Sequence, residues 1–383
     1  MKFGVKNILY IVLLISIAVS LSSCTLITQV IESSQNSNNP LFSQLPEFDP
    51  YSTNQDLNNI DMSDAEYIDD IEQFYIHLET SMEKRHRSIF VRAASHDVFA
   101  DLSELDKYNL KGCYKTVYSG SNGTFYAIYD IEYYPGDNVY HAYETKDKSL
   151  LNEKEKEIYV LAETFIAQNI TEQMSDFDKE LVIHDYICNA LVYQKEGIDT
   201  VDSYNITGAY ALITGFANCQ GYTDAFYMLT NMVGLECEKV SGESQGIAHT
   251  WNVIKIEDIW TYIDVTFDDT AFDKEGLIFY AYFNVPKDYM DRSHMFYDYQ
   301  ELKIAEGYEY FYYSYKGSAV FNSLDFNRKV YVPLSQGAAS IEVFVLINDV
   351  QPMLDTLKDL NLSMQLNYFI INECTLLAIN TQQ

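Results

Sequence analysis

The period of the hydrophobic pattern changes several times along the chain, and each change marks an element. Tyr222, Ala225, Phe226, Leu229, Met232 and Val233 recur at the i, i+3, i+4, i+7 spacing of a helix with one buried face. Gly234 follows where such a helix stops. His249 to Ile256 and Ile259 to Val265 are rich in aromatic and β-branched residues and read as two strands, with Glu257-Asp258 as the turn between them. Upstream, Glu153 to Gln168 and Asp176 to Leu191 read as helices. On the second, Phe177, Leu181, His184, Cys188 and Leu191 share a face, which makes His184 a packing residue.

Nearer the N-terminus, Ser63 is placed to cap a helix from Asp64 to Lys84, with Tyr67, Ile71, Phe74, Tyr75 and Leu78 inward. Ser88 to Arg92 reads as a strand, His96 to Tyr108 as a helix, and Thr124 to Tyr133 as a strand ended by Pro135-Gly136. Beyond the central strands lies an apolar stretch, Leu277 to Asn284, and then His294 in a polar segment, read as a rim residue. The aromatic run Tyr308 to Tyr315 fits a packed strand or edge better than a ligand-stacking surface. Ile341 to Ile347, Val350 to Leu360, Leu366 to Ile371 and Cys374 to Ile379 read as strand, helix, strand, strand. The expected architecture is α+β: an accessory region over 63–150, a core over 151–300, and a β-α-β-β region over 301–383.

The first 62 residues differ from all of this. Lys2 and Lys6 precede the apolar Ile8 to Val19, a stretch too short to span a bilayer and arranged like a secretion signal. Leu21-Ser22-Ser23-Cys24 resembles the lipobox of bacterial lipoproteins. That resemblance implies cleavage before Cys24 and lipidation of its sulfur, with the body held outside the cytoplasm on a membrane. Residues 24–62 then form a polar tether that cannot bury a core.

Without residues 1–23 the chain carries 23 basic against 56 acidic residues, a net charge of −33. Such an excess argues against nucleic acid or anionic headgroups as partners of the body. Of six cysteines, lipidation takes Cys24 and leaves five, an odd number with at least one free thiol. Cys188 and Cys237 read as small buried hydrophobes. No Cys/His cluster has metal-ligand spacing, and neither a metal nor another cofactor is expected.

The candidate chemistry lies between Gly215 and Asp269. Cys219 opens a helix after the loop-like Gly215-Phe216-Ala217-Asn218, where the positive end of the helix favours a thiolate and free amides can bind an oxyanion. In the paired strands, a two-residue turn places His249 and Asp264 as diagonal neighbours on one face, and a longer turn places them opposite each other. Either register allows a base oriented by a carboxylate. Taken singly, Cys219 fits a buried structural thiol and the other two a satisfied hairpin pair. Their coincidence favours a nucleophile, its base and an orienting acid.

These residues resemble the transglutaminase-like superfamily in its bacterial form. The resemblance rests on Cys219-Gln220-Gly221-Tyr222, His249-Thr250-Trp251-Asn252 and Tyr262 to Asp269, with Ile183 to Ile187 and Gly208 to Leu212 upstream. It covers about residues 160–295. It implies a papain-like fold with a Cys219–His249–Asp264 triad and acyl transfer or amide hydrolysis, through a thioester, on protein or peptide amides, cell-wall peptide included. Asn218 and Thr250 depart from the small apolar residues common there, without removing a catalytic group. Trp251, on the His249 strand, is a candidate wall of the substrate channel, with core packing as its other reading. The rival reading of the chain is a non-catalytic surface binding module on the same fold.

Overall fold

The computed structural model describes residues 65–381, apart from 109, 121–122, 195–205, 271–277, 298–302 and 304. The signal-like segment, Cys24, the tether and Ser63 lie outside the described residues. Among those residues, no helix is long and apolar enough to cross a membrane.

The first sheet has the order β1-β2-β4-β3, from β1 (Glu66–Tyr67), β2 (Ser88–Ala93), β3 (Gly112–Ser119) and β4 (Phe125–Glu132). Helix α1 (Ile71–Glu83) buries Phe74 and Leu78 in the same cluster as Ile89, Val91 and Tyr129. It starts later than the expected Asp64, because the preceding residues pair with β2 and Asp70 caps the helix through the Gln73 amide. Tyr67 and Ile71, expected inward, are consequently exposed. In place of a helix over His96 to Tyr108 there are two 3₁₀ turns, His96–Val98 and Leu102–Tyr108. No apolar alternation announces β3, an edge strand with every residue exposed or half-buried.

The helical layer comprises α2 (Pro135–Thr145), α3 (Glu153–Asn169), α4 (Asp176–Ala190) and α5 (Cys219–Met232), with a short parallel pair, β5 (Val192–Tyr193) and β6 (Phe216–Ala217), leading into α5. It covers the second sheet, ordered β10-β7-β8-β9, from β7 (Glu236–Ser244), β8 (Ile247–Ile256), β9 (Ile259–Ile263) and β10 (His294–Phe296). Val139, Ile158, Ile187, Phe226, Leu229, Ile254 and Ile263 share the cluster between helices and sheet. The helix after β9 is α6 (Val265–Thr270).

The third sheet, ordered β11-β12-β14-β13, uses β11 (Ala319–Val320), β12 (Ser340–Val345), β13 (Met364–Ile371) and β14 (Cys374–Thr381). A second buried cluster joins Trp251 and Tyr262 to Phe311, Tyr313 and Phe344. The aromatic run therefore packs as core, but as a helical turn, Tyr312–Tyr315, and not as a strand.

Two buried polar arrangements fix α5 and α4. Lys239 of β7 reaches Asp137 at 2.8 Å and Asp224 of α5 at 3.1 Å, while Asp224 also accepts the Gly136 and Ala209 amides, each at 2.8 Å. On α4, the buried Glu180 accepts from Asn284 Nδ2 at 2.6 Å through Oε2, and its Oε1 has no partner among the described residues. Burial, only partly offset by the Asn284 bond and by His184, raises the Glu180 carboxyl to about 8.

A carboxyl that holds its proton more tightly when folded weakens the fold wherever the unfolded chain would ionise it. Stability should fall as pH rises from the ordinary carboxyl range towards about 8, then level off. Glu180→Gln should flatten that slope. In thermal melts it should gain on the wild type by a few kcal/mol near pH 8, on the order expected for a shift of this size, and by little at pH 4.

Candidate active site

Cys219 occupies the first position of α5. Asn218 caps the helix, its side-chain oxygen accepting the Gly221 amide at 3.1 Å. The ladder begins with Tyr222, whose amide reaches Asn218 O, so the Cys219 and Gln220 amides precede any intrahelical acceptor. Gly221 permits this close seating: a Cβ there would lie 2.6 Å from Ile206 O and 2.8 Å from Ala217 Cβ. The thiol is half-buried. Beside it, Gln220 Nε2 donates to the Tyr134 hydroxyl at 3.0 Å.

His249 is on β8 and Asp264 directly follows β9. The strands pair with Ile256 opposite Ile259, the two-residue register, which makes His249 and Asp264 diagonal neighbours. His249 Nε2 lies 2.7 Å from Asp264 Oδ2. The Cys219 thiol also acts on this imidazole and favours its charged form, and the remaining ring nitrogen is Nδ1. Asp264 is wholly buried, and its Oδ1 accepts the Phe267 amide at 3.1 Å, so the carboxylate also caps α6.

A second imidazole reaches the same carboxylate. His294 Nε2 lies 3.0 Å from Asp264 Oδ2, and its Nδ1 lies 2.9 Å from Ser293 Oγ. His294 is buried, which corrects its reading as a rim residue. The reason is pairing: β10 joins the edge of β7, with His294 opposite Ser244, and Trp251, Phe267 and Tyr282 enclose the ring. A three-residue strand has too few positions to show a period, so the pattern of the chain carries no signal for it.

Trp251 is 1% exposed. Its ring stacks on His249 at 5.8 Å and meets His294 at 4.7 Å between centroids. It packs against the two imidazoles from within the core. Gly242 lets it lie there, since a Cβ would come 2.7 Å from the indole and 2.0 Å from Met295 O. His184 lies behind α6, its Nε2 3.3 Å from Asp268 Oδ2 and its Nδ1 3.1 Å from Asp185 Oδ1. Cys113, Cys188, Cys237 and Cys374 are free, like Cys219.

His249, Asp264 and His294 bring three potential ligand atoms within 4.8 Å of one another. The 2.7 and 3.0 Å separations are those of direct hydrogen bonds. A tetrahedral ion with bonds of about 2.0–2.1 Å needs ligand atoms roughly 3.3 Å apart, so the set is arranged as a hydrogen-bond network.

The electrostatics follow from this packing. Burial works against the charge on His249, but the Asp264 carboxylate, its hydrogen bond and the Cys219 thiol outweigh it and push the imidazole up to about 10. Burial likewise opposes charge on Asp264, yet His249 and then His294 hold that carboxyl well below its usual range. The pair is therefore built to carry opposite charges in a dry site. Asp264→Asn keeps the burial and removes the attraction. In a nitrogen-15 NMR titration, His249 should then fall by several units, to or below the ordinary imidazole value of about 6.5.

The family model of the Transglutaminase-like superfamily matches residues 164–265. Among curated proteins, the kyphoscoliosis peptidase of Mus musculus is 25% identical over 120 residues, covering 28% of this chain and 18% of its own length. Its Homo sapiens counterpart is 25% identical over 165 residues, covering 36% and 25%. The chain thus spans about a quarter or less of these relatives. A crystal structure of a TGase aligns at 17% identity and TM-score 0.26, over 49% of this chain and 57% of its own. The Legionella pneumophila LapG structure aligns at 11% identity and TM-score 0.23, over 34% and 72%. The segment that the family model matches holds Cys219 and His249 and ends one residue beyond Asp264, and with it the chain carries an α+β domain of the transglutaminase-like superfamily.

Proposed function

We propose that this chain is a cysteine acyl-transfer enzyme acting on protein or peptide amides. One observation carries the reading: a half-buried thiol at a helix N-terminus, coupled electrostatically to an imidazole that a buried carboxylate holds at 2.7 Å. His249 Nδ1 accepts the Cys219 proton, and Asp264 fixes the ring and stabilises its charged form. The sulfur attacks the amide carbonyl, and the Cys219 amide donates to the developing oxyanion. The C–N bond breaks as His249 returns its proton to the leaving amine. The resulting thioester transfers its acyl group to an amine or to water.

The proposal extends to location. Lipid on Cys24 would hold the domain outside the cytoplasm at the end of the 24–62 tether, and the sequence from Leu21 to Cys24 supports this. Cys24→Ala should then move the protein from the membrane to the soluble fraction and abolish incorporation of labelled fatty acid.

The enzyme reading is tested by the pH dependence of Cys219 alkylation with iodoacetamide, followed by mass spectrometry on the soluble protein from about Thr25 onward. The wild-type thiol should react fast at neutral pH. His249→Ala should slow it by about 100-fold or more, the usual weight of a positioned base. A wild-type rate equal to that of a free thiol and unchanged in His249→Ala would leave a binding module as the better account. Amine incorporation against a glutamine donor then separates transfer from hydrolysis.

A further inference from the structure

The proposed chemistry uses three side chains, and a fourth reaches the carboxylate at its end. Asp264 Oδ2 faces two imidazole nitrogens, His249 Nε2 at 2.7 Å and His294 Nε2 at 3.0 Å. An ionised carboxylate only accepts, so both imidazoles donate Nε2–H to that one oxygen. His294 Nδ1 is hydrogen-bonded with the Ser293 hydroxyl at 2.9 Å, and Ser293 Oγ lies 3.4 Å from the Tyr282 hydroxyl.

We propose that His294 is a positioning residue of the active site: by donating to Asp264 Oδ2 it locks the carboxylate against rotation and keeps it ionised, so that His249 presents Nδ1 to Cys219. The inference rests on the acyl-transfer reading and adds to it a group outside the triad.

Three features carry it. Both members of the pair are buried, His294 at 3% and Asp264 at 0% exposed, so no water replaces a lost donor cheaply. The ring cannot swing away, with Trp251, Phe267, Tyr282 and His249 around it. The donors also divide the carboxylate fully. The Phe267 amide takes Oδ1 and the two imidazoles share Oδ2, which leaves Asp264 one orientation. The titratable groups facing this centre are His249 from β8, Cys219 from α5 through His249, Asp268 from α6, and Tyr282. Among them His249 and His294 favour the charged carboxylate, while Asp268 opposes it. Removing the His294 donor therefore tips Asp264 towards protonation as pH falls.

The test uses two variants in the soluble protein. His294→Phe keeps the ring packing and removes the donor. His294→Gln keeps an N–H near the position of Nε2. Thermal melts establish that each is folded. With iodoacetamide, His294→Phe should label Cys219 about 10- to 100-fold more slowly at pH 7, the span typical of lost outer-shell support. The acid limb of its pH profile should also move to higher pH, and His294→Gln should restore most of the rate and the position of that limb. A structural role alone would lower the melting temperature without moving the limb. Folded His294→Phe with the wild-type rate and profile would overturn the proposal, as would equal loss in both variants with an unmoved limb. Nitrogen-15 histidine spectra keep this separate from the acyl-transfer reading. Wild-type protein should show His294 with a proton on Nε2, shifted downfield, whether or not Cys219 is activated, and a ring protonated at Nδ1 alone would sink the inference by itself.

Discussion

A single buried negative charge organises the centre of this molecule. Placing a carboxylate where water has no access costs several kcal/mol unless donors replace its hydration. Asp264 has such donors from three directions: the Phe267 amide at the start of α6, His249 on β8 and His294 on β10. Each comes from a different element, so the charge is satisfied only when β8, β10 and α6 are all in place. The same requirement that stabilises the fold sets the geometry of the thiol–imidazole pair. Site and core are here one packing problem, and Trp251 belongs to both.

The parts legible in the sequence are those governed by short-range pattern. The face of α5, with Tyr222, Phe226 and Leu229 at helical spacing, is a local property, and so is the hairpin between His249 and Asp264, whose register the Glu257-Asp258 turn sets. From the hairpin the pairing of His249 with Asp264 follows with little tertiary knowledge. The illegible parts are those whose meaning depends on a distant partner. β7 mixes charged and small residues because one of its faces must receive Trp251, and Gly242 there serves the indole. His294 looks like a polar loop residue until β10 meets β7. Pro135-Gly136 signals the end of β4 and, at the same place, the first turn of α2, where Pro needs no hydrogen of its own. Only the helix after it reveals the second meaning. At the N-terminus a propensity-based start for α1 lost to strand pairing by residues 66–67.

The acidity of the chain is not confined to its surface. Glu180, Asp224 and Asp268 are buried with Asp264, each handled differently. Asp224 has a lysine and two backbone amides, Asp268 has His184 and the Tyr282 amide, and Glu180 lies against a lone amide donor. The Asp224 arrangement ties α5 to β7 and to the first turn of α2, so the seating of Cys219 depends on residues some 80 positions upstream. A carboxylate bonded to two chain segments at once acts as a cross-link whose strength falls away when it is protonated or when its lysine is lost.

The shortness of β10 has a dynamic consequence. Strands of three residues at a sheet edge, with Met295 exposed between two inward side chains, belong to the part of a structure that opens locally long before the whole unfolds. Each such opening would withdraw one imidazole from the carboxylate while β8, β9 and α5 stay folded. The rigidity of the site would then be set by the lifetime of this small strand, and the amides of β10 and its β7 partners would exchange with solvent faster than those of the hairpin beside them.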